Sequence, residues 1–89
     1  MDFKCDRPQS EANKAKHGID FDAAQALWQD PALIEIPARV MDEPRSLTIA
    51  KWAGHHGSAM FTRRSERIRL ISVRRARAEE VKVYESEAV

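Results

Sequence analysis

The chain has 89 residues and a formal net charge of +1, enough for one domain but not for two. Hydrophobic residues make up 43% and charged residues 33% of it, a globular mixture that excludes collagen-like, low-complexity and disordered classes. We expect no membrane span, because no apolar run approaches the required ~18 residues, and no secretory signal. The single cysteine, Cys5, cannot form an internal disulfide, so a cytoplasmic location is expected.

The first third of the sequence predicts two helices. A surface helix begins near Asp6 and ends at about His17, where Gly18 provides a left-handed stop. Asp20 caps a second helix, which ends at Asp30-Pro31. Apolar residues recur at helical spacing in this second helix and form a stripe that we expect to be buried. The members of the stripe are Phe21, Ala24, Leu27 and Trp28.

The middle of the chain predicts an antiparallel meander of strands. Apolar patterning indicates four strands, over residues 33–36, 46–52, 59–62 and 67–73. They are joined by a loop at 38–45 and by turns at 54–57 and 63–66. The last strand is apolar on both faces, so we expect it inside the sheet and not at its edge. With a closing helix over 76–85, the predicted fold is α+β: an antiparallel β-sheet meander with two N-terminal helices and one C-terminal helix packed on it.

Arginine is concentrated in the second half of the chain. Residues 1–44 carry five basic and nine acidic side chains, whereas residues 45–89 carry ten and five. Guanidinium groups bind phosphate bidentately, so this cluster favours an anionic partner, RNA or DNA first. The alternative is a solvated strand face. The clustered arginines are Arg63, Arg64, Arg67, Arg69, Arg74, Arg75 and Arg77.

Histidine is the candidate for acid–base chemistry. His17 lies at a helix end, where it is either a general acid or base or a residue favoured by the helix dipole. His55 and His56, taken with Cys5 and His17, lack the spacing of a zinc site, so we predict no metal ion and no cofactor. Trp52, beside a glycine-containing turn, either stacks on a base or packs at the sheet edge.

Three fragments in order carry a resemblance to a known family. They are Asn13-x-x-Lys16-His17-Gly18-Ile19-x-Phe21, then Glu43-x-Arg45, then the run 68–76 followed by Glu80 and Tyr84. On these motifs the chain resembles the BrnT family of type II toxins, small ribonucleases with a RelE-like fold. The sequence differs from the usual family pattern at four positions, which are Cys5, Gln9, Ala50 and Val81.

The resemblance implies an endoribonuclease that needs no metal ion and a partner antitoxin of the BrnA type, with a ribbon-helix-helix DNA-binding part. Operator DNA would be bound only through the toxin–antitoxin complex. RNA cleavage requires a base, an acid and positive charge at the phosphate. By resemblance, Arg45, Arg74 and Arg75 form the phosphate clamp. The acid–base group would be His17, or Tyr84 if an adjacent arginine lowers its pKa.

These considerations give two sets of predicted site residues. The predicted catalytic residues are His17, Arg45, Arg74 and Tyr84. The predicted RNA- or phosphate-binding residues are Arg63, Arg64, Arg69, Arg75, Arg77 and Glu80, of which Glu80 either orients the arginines or bridges to them. We expect Arg45 to reach the same rim of the sheet as Arg74. The alternative function is a non-catalytic module that binds nucleic acid or the antitoxin and acts in operon autoregulation.

Overall fold

A computed structural model describes residues 2–40 and 43–87, which form a five-stranded sheet with helices on both faces. The strands are β1 (Asp2–Lys4), β2 (Ile34–Val40), β3 (Glu43–Trp52), β4 (His55–Arg64) and β5 (Arg67–Arg75). The helices are α1 (Arg7–His17), α2 (Phe21–Ala24), which continues as a 3₁₀ helix (Gln25–Gln29), and α3 (Ala78–Glu87). None of the helices in these described ranges is long and apolar enough to cross a membrane.

The strand order across the sheet is β1-β5-β4-β3-β2. From β2 to β5 each strand pairs antiparallel with the next, which confirms the predicted meander. β5 lies between β1 and β4, so its predicted position inside the sheet is also confirmed. The predicted sheet lacked its fifth strand, β1, which pairs in parallel with β5, with Phe3 opposite Ile68. Three residues are too few to show the alternation that marks a strand in a sequence.

Strand ends differ from the predicted boundaries. The predicted loop at 38–45 is β-strand on both sides of residues 41 and 42, which lie outside the described residues, and Ala38 pairs with Arg45. Pro37 lies within β2, an edge strand, where the absence of a backbone N–H costs least. The predicted turn at 54–57 is shorter, because only residues 53 and 54 separate β3 from β4.

Alternation of side chains along the strands gives the sheet two faces. One face carries Phe61 and Leu70 and packs against Phe21 and Leu27, which are only 1% and 0% exposed. This confirms the predicted burial of those two stripe residues. Trp28 is half-buried, with its ring edge-on to Phe61 at a centroid distance of 5.3 Å. The opposite face is covered at one end by α3.

The side chain of Asn13 joins α1 to the edge of β5. β1 pairs with β5 only over 67–69, and farther along the strand Asn13 takes the place of a pairing partner. Its Nδ2 donates to the Val73 carbonyl at 2.8 Å, and its Oδ1 accepts from the Val73 N–H at 3.1 Å. Nδ2 also donates to the Ile19 carbonyl at 2.8 Å. These contacts hold the end of α1, and therefore His17, beside the carboxyl end of β5.

Candidate active site

A cavity of about 120 Å³ opens where the end of α1 meets the β3–β4 turn and the end of β5. All three histidines of the chain contribute to its wall, together with two arginines. The lining residues are His17, Gly18, Ile19, Trp52, His55, His56, Arg74 and Arg75. His17 therefore lies in the same cavity as the two arginines that end β5, an arrangement that acid–base chemistry at a phosphate requires.

Two tight backbone turns shape this cavity. α1 stops at Gly18, whose φ of 79° is left-handed and ends the helix directly after His17. The β3–β4 connection has two residues, Ala53 and Gly54, both with positive φ (51° and 81°). The feature of the sequence that could have indicated a role for His55 and His56 is therefore this short turn, which directly precedes them. The spacing of these histidines in the sequence does not reveal that the turn brings them to α1.

Arg74 forms a bidentate ion pair with Glu80, with N–O distances of 2.7 and 2.8 Å. The same carboxylate accepts from the Ser58 hydroxyl at 2.9 Å and from the Arg77 backbone N–H at 2.8 Å. These hydrogen bonds, that of Arg74 foremost, lower the pKa of Glu80 to about 2. Glu80 thus balances the charge of Arg74, whereas the side chain of Arg75 is exposed at this wall.

Glu80 gives a prediction about acid stability. A carboxylate whose pKa falls on folding stabilises the native state above its unfolded pKa, near 4.5, and this stabilisation is lost as the pH falls to about 2. We expect Glu80→Gln to destabilise the protein by roughly 1–2 kcal/mol near neutral pH, allowing for solvent screening, with the difference vanishing near pH 2. Urea unfolding across this pH range measures it. Glu79→Gln, an exposed neighbour, is the matched control, and an equal effect of both variants would contradict the prediction.

Tyr84 is buried and makes a structural hydrogen bond. It is 5% exposed, and its hydroxyl donates to Asp30 Oδ2 at 2.6 Å. This hydrogen bond, together with burial, raises the pKa of Tyr84 to about 12, so the condition on which Tyr84 was named, a pKa lowered by an adjacent arginine, is not met. The Tyr84 ring packs edge-on against His56 with centroids 5.1 Å apart, and it thereby supports the cavity wall. Nε2 of His56 lies 3.2 Å from Glu85 Oε1, without hydrogen-bond alignment.

Arg45 lies toward the other end of the sheet. Across the strands, Arg74 is opposite Ser58 and Ser58 is opposite Ile49, which is four residues from Arg45 along β3. That separation is about 13 Å at the usual rise of a strand. The prediction that Arg45 shares a rim with Arg74 is therefore wrong, because β3 is one long strand that carries its first residues away from the cavity.

The other predicted arginines fall into different surroundings. Arg45 lines a cavity of about 260 Å³ with Gln9, Thr62, Arg64, Arg69 and Ile71. Arg63 instead lies over the ring of Phe61, 5.1 Å from its centroid, and forms a bidentate ion pair with Glu35, with two distances of 2.6 Å. Arg77 is exposed at the start of α3. Within the described ranges, no group of three His, Cys, Asp or Glu side chains could hold a metal ion.

A comparison with known protein families shows which family the chain matches. The family described as "Ribonuclease toxin, BrnT, of type II toxin-antitoxin system" matches residues 6–80. This range includes both walls of the histidine- and arginine-lined cavity and stops short of Tyr84. No curated protein matches the chain.

Proposed function

The chain belongs to the BrnT family of ribonuclease toxins of type II toxin–antitoxin systems, and we propose that it cleaves RNA at the cavity lined by His17 and Arg75. Membership of this family implies an antitoxin partner and an RNA target. The observation that carries the proposal is the convergence of three histidines and two arginines on one cavity. Such a set supplies proton transfer and phosphate stabilisation together.

The proposed reaction is an internal transesterification. The 2′-hydroxyl of the RNA attacks the adjacent phosphorus, the P–O5′ bond breaks, and the products are a 2′,3′-cyclic phosphate and a 5′-hydroxyl. One group takes the proton of the 2′-hydroxyl and another protonates the departing 5′ oxygen. We assign these roles to His17 and His55, the two exposed histidines of the cavity, since imidazole serves either role near neutral pH.

The arginines have separate parts in this proposal. Arg75 stabilises the charge that builds up on the phosphate, as preorganised cations do at such sites. Because Glu80 holds the guanidinium of Arg74 in place, we assign Arg74 the role of positioning the end of β5, and with it Arg75. No step of this scheme uses a metal ion, so cleavage is proposed to be metal-independent.

The remaining proposals concern fold family, partner and location. The meander with helices on both faces supports assignment to the RelE-like fold. We propose a BrnA-like antitoxin with a ribbon-helix-helix part, operator binding only through the complex with that antitoxin, and action in the cytoplasm. The resemblance described from the sequence motifs supports these assignments.

Cleavage by the purified protein tests the function. With excess EDTA present, we expect it to cleave RNA to a 2′,3′-cyclic phosphate and to leave a 2′-deoxy oligonucleotide intact. Arg75→Ala is expected to lower kcat/KM by roughly 10²–10³-fold, the usual effect of removing one preorganised charge-stabilising group. Lys82→Ala removes one charge from an exposed position on α3 and is the matched control. Equal activities of the two variants would contradict the proposal, and RNA binding without cleavage would favour the non-catalytic module.

A further inference from the structure

The tip of the β4–β5 hairpin carries a group of cations far from the candidate active site. Residues from β1, β4 and β5 line a cavity of about 470 Å³ there, and two of them also line the 260 Å³ cavity of Arg45. Arg67 Nε lies 3.3 Å from Asp2 Oδ2, with both side chains more than half exposed, so water and salt screen this pair. We call the group the hairpin-tip cluster; its members are Lys4, Arg45, Arg64, Arg67 and Arg69.

Two features of the hairpin tip oppose the stability of the sheet. Arg64 and Arg67 are directly opposite each other across the two strands, a placement of like charges that destabilises a sheet. The two turn residues, Ser65 and Glu66, have φ values of 48° and 70°, in the left-handed region that favours Gly or Asn. Features that oppose stability concentrate where function requires them. This hairpin tip therefore calls for a functional explanation.

The surroundings of the cluster suit phosphate better than a nucleobase. Within the described residues, neither cavity is lined by an aromatic side chain on which a base could stack. Arginine forks bind phosphate oxygens in pairs, and Gln9 and Thr62 add polar groups to the smaller cavity. The matching ligand is the phosphodiester backbone, bound without selection of sequence.

A β-bulge aligns this cluster with the active-site end of β5. Arg69 and Arg74 are five residues apart, which would place them on opposite faces of a regular strand. The register shift between Met60 and Phe61 leaves Arg69 opposite Thr62 and Arg74 opposite Ser58, four residues apart on β4. Both arginines thus occupy the same face of the sheet. α3 covers this face at its Arg74 end, so an RNA strand bound to the cluster would reach the candidate active site at the end of β5, where Arg74 and Arg75 line one cavity.

We propose that the hairpin-tip cluster is a second subsite that binds backbone phosphates of the RNA at a distance from the bond that is cleaved. This inference rests on the proposed function. Arg69 lies six residues from Arg75 along β5, about 20 Å at the rise of a strand. A trinucleotide centred on the histidine-lined cavity leaves the cluster empty, whereas a longer RNA occupies both sites.

Binding of RNA that cannot be cleaved tests the subsite independently of catalysis. The probes are fluorescent 2′-O-methyl oligonucleotides, one of about 12 nucleotides, within the range of known single-strand sites, and one trinucleotide. For Arg64→Gln/Arg69→Gln we expect the Kd of the longer probe to rise about tenfold and its log–log salt slope to fall by about 1.4, roughly 0.7 for each lost phosphate contact. The Kd of the trinucleotide is expected to stay unchanged. Lys51→Gln/Lys82→Gln removes two exposed charges elsewhere and is the control.

A variant that is expected to bind RNA more tightly provides a second test, which does not require the removal of arginines. Glu66 is the only acidic residue between Arg63 and Arg69, so Glu66→Gln is expected to tighten binding of the longer probe alone. The inference would be overturned if the salt slopes of both the double-arginine variant and Glu66→Gln matched the slope of the control variant. Weaker binding of the antitoxin with RNA binding intact would also overturn it, and would assign the cluster to the protein partner. If the wild type binds the longer probe but cleaves no RNA, the proposed function fails while the subsite stands.

Discussion

Replacing Phe21 with alanine is expected to lower the free energy of unfolding by roughly 3–5 kcal/mol. Phe21 is 1% exposed and packs in the core with Leu27 and Phe61. Truncation removes its apolar burial and leaves a cavity that the rigid sheet cannot close. Because small proteins have total stabilities of about 5–15 kcal/mol, much of the variant should be unfolded near body temperature. Urea titration followed by circular dichroism measures the loss.

The control for Phe21 is an apolar side chain outside the core. Val83 is 41% exposed on α3, so Val83→Ala is expected to change stability by no more than about 0.5 kcal/mol. A melting temperature for Phe21→Ala within a few degrees of the wild type would show that the α2 side of the sheet contributes little to the core.

Replacing His17 with alanine is expected to lower kcat for RNA cleavage by roughly 10²–10⁴-fold, the usual contribution of one general acid or base. His17 is exposed at the end of α1 and lines the candidate cavity, so its loss removes a proton-transfer group without opening the core. RNA affinity should change far less than kcat. Cleavage kinetics combined with binding of an uncleavable oligonucleotide separate the two quantities.

Lys16→Ala is the matched control for His17. Lys16 is the preceding exposed residue of α1 and does not line the cavity, so its replacement should leave kcat near the wild-type value. A large loss in His55→Ala combined with normal activity in His17→Ala would assign His17 to the alternative role of a residue placed at a helix end by the helix dipole.

The parts of the fold that were predicted correctly are those whose residue pattern is visible within a single short segment of the sequence. The stripe of Phe21 and Leu27 repeats at helical spacing, and the two-sided apolar pattern of 67–73 indicates an interior strand. β1 was beyond such reasoning, because its pairing of Phe3 with Ile68 joins distant parts of the chain. A three-residue strand takes its conformation from that partner and shows little pattern of its own.

The site was less predictable than the fold, because it depends on contacts between distant residues. Nothing in the sequence indicates that Tyr84 donates to Asp30, a hydrogen bond that raises its pKa where the sequence-based hypothesis needed it lowered. The sequence likewise does not reveal the β-bulge that places Arg69 and Arg74 on one face. Arg45 was misplaced because its strand was predicted to start at residue 46, three residues later than it does, which left Arg45 in a loop.

The hydrogen bonds between Asn13 and Val73 have a consequence for when the protein becomes active. They join residues 60 positions apart, so the end of α1 reaches its place only after β5 has formed. Long-range contacts of this kind form late, since the intervening chain must first be ordered. On a ribosome, α1 is complete long before the arginines of β5 are synthesised. A nascent chain therefore carries His17 without the arginines with which we propose that it acts, and we expect cleavage activity to arise only as folding of the last strand is completed.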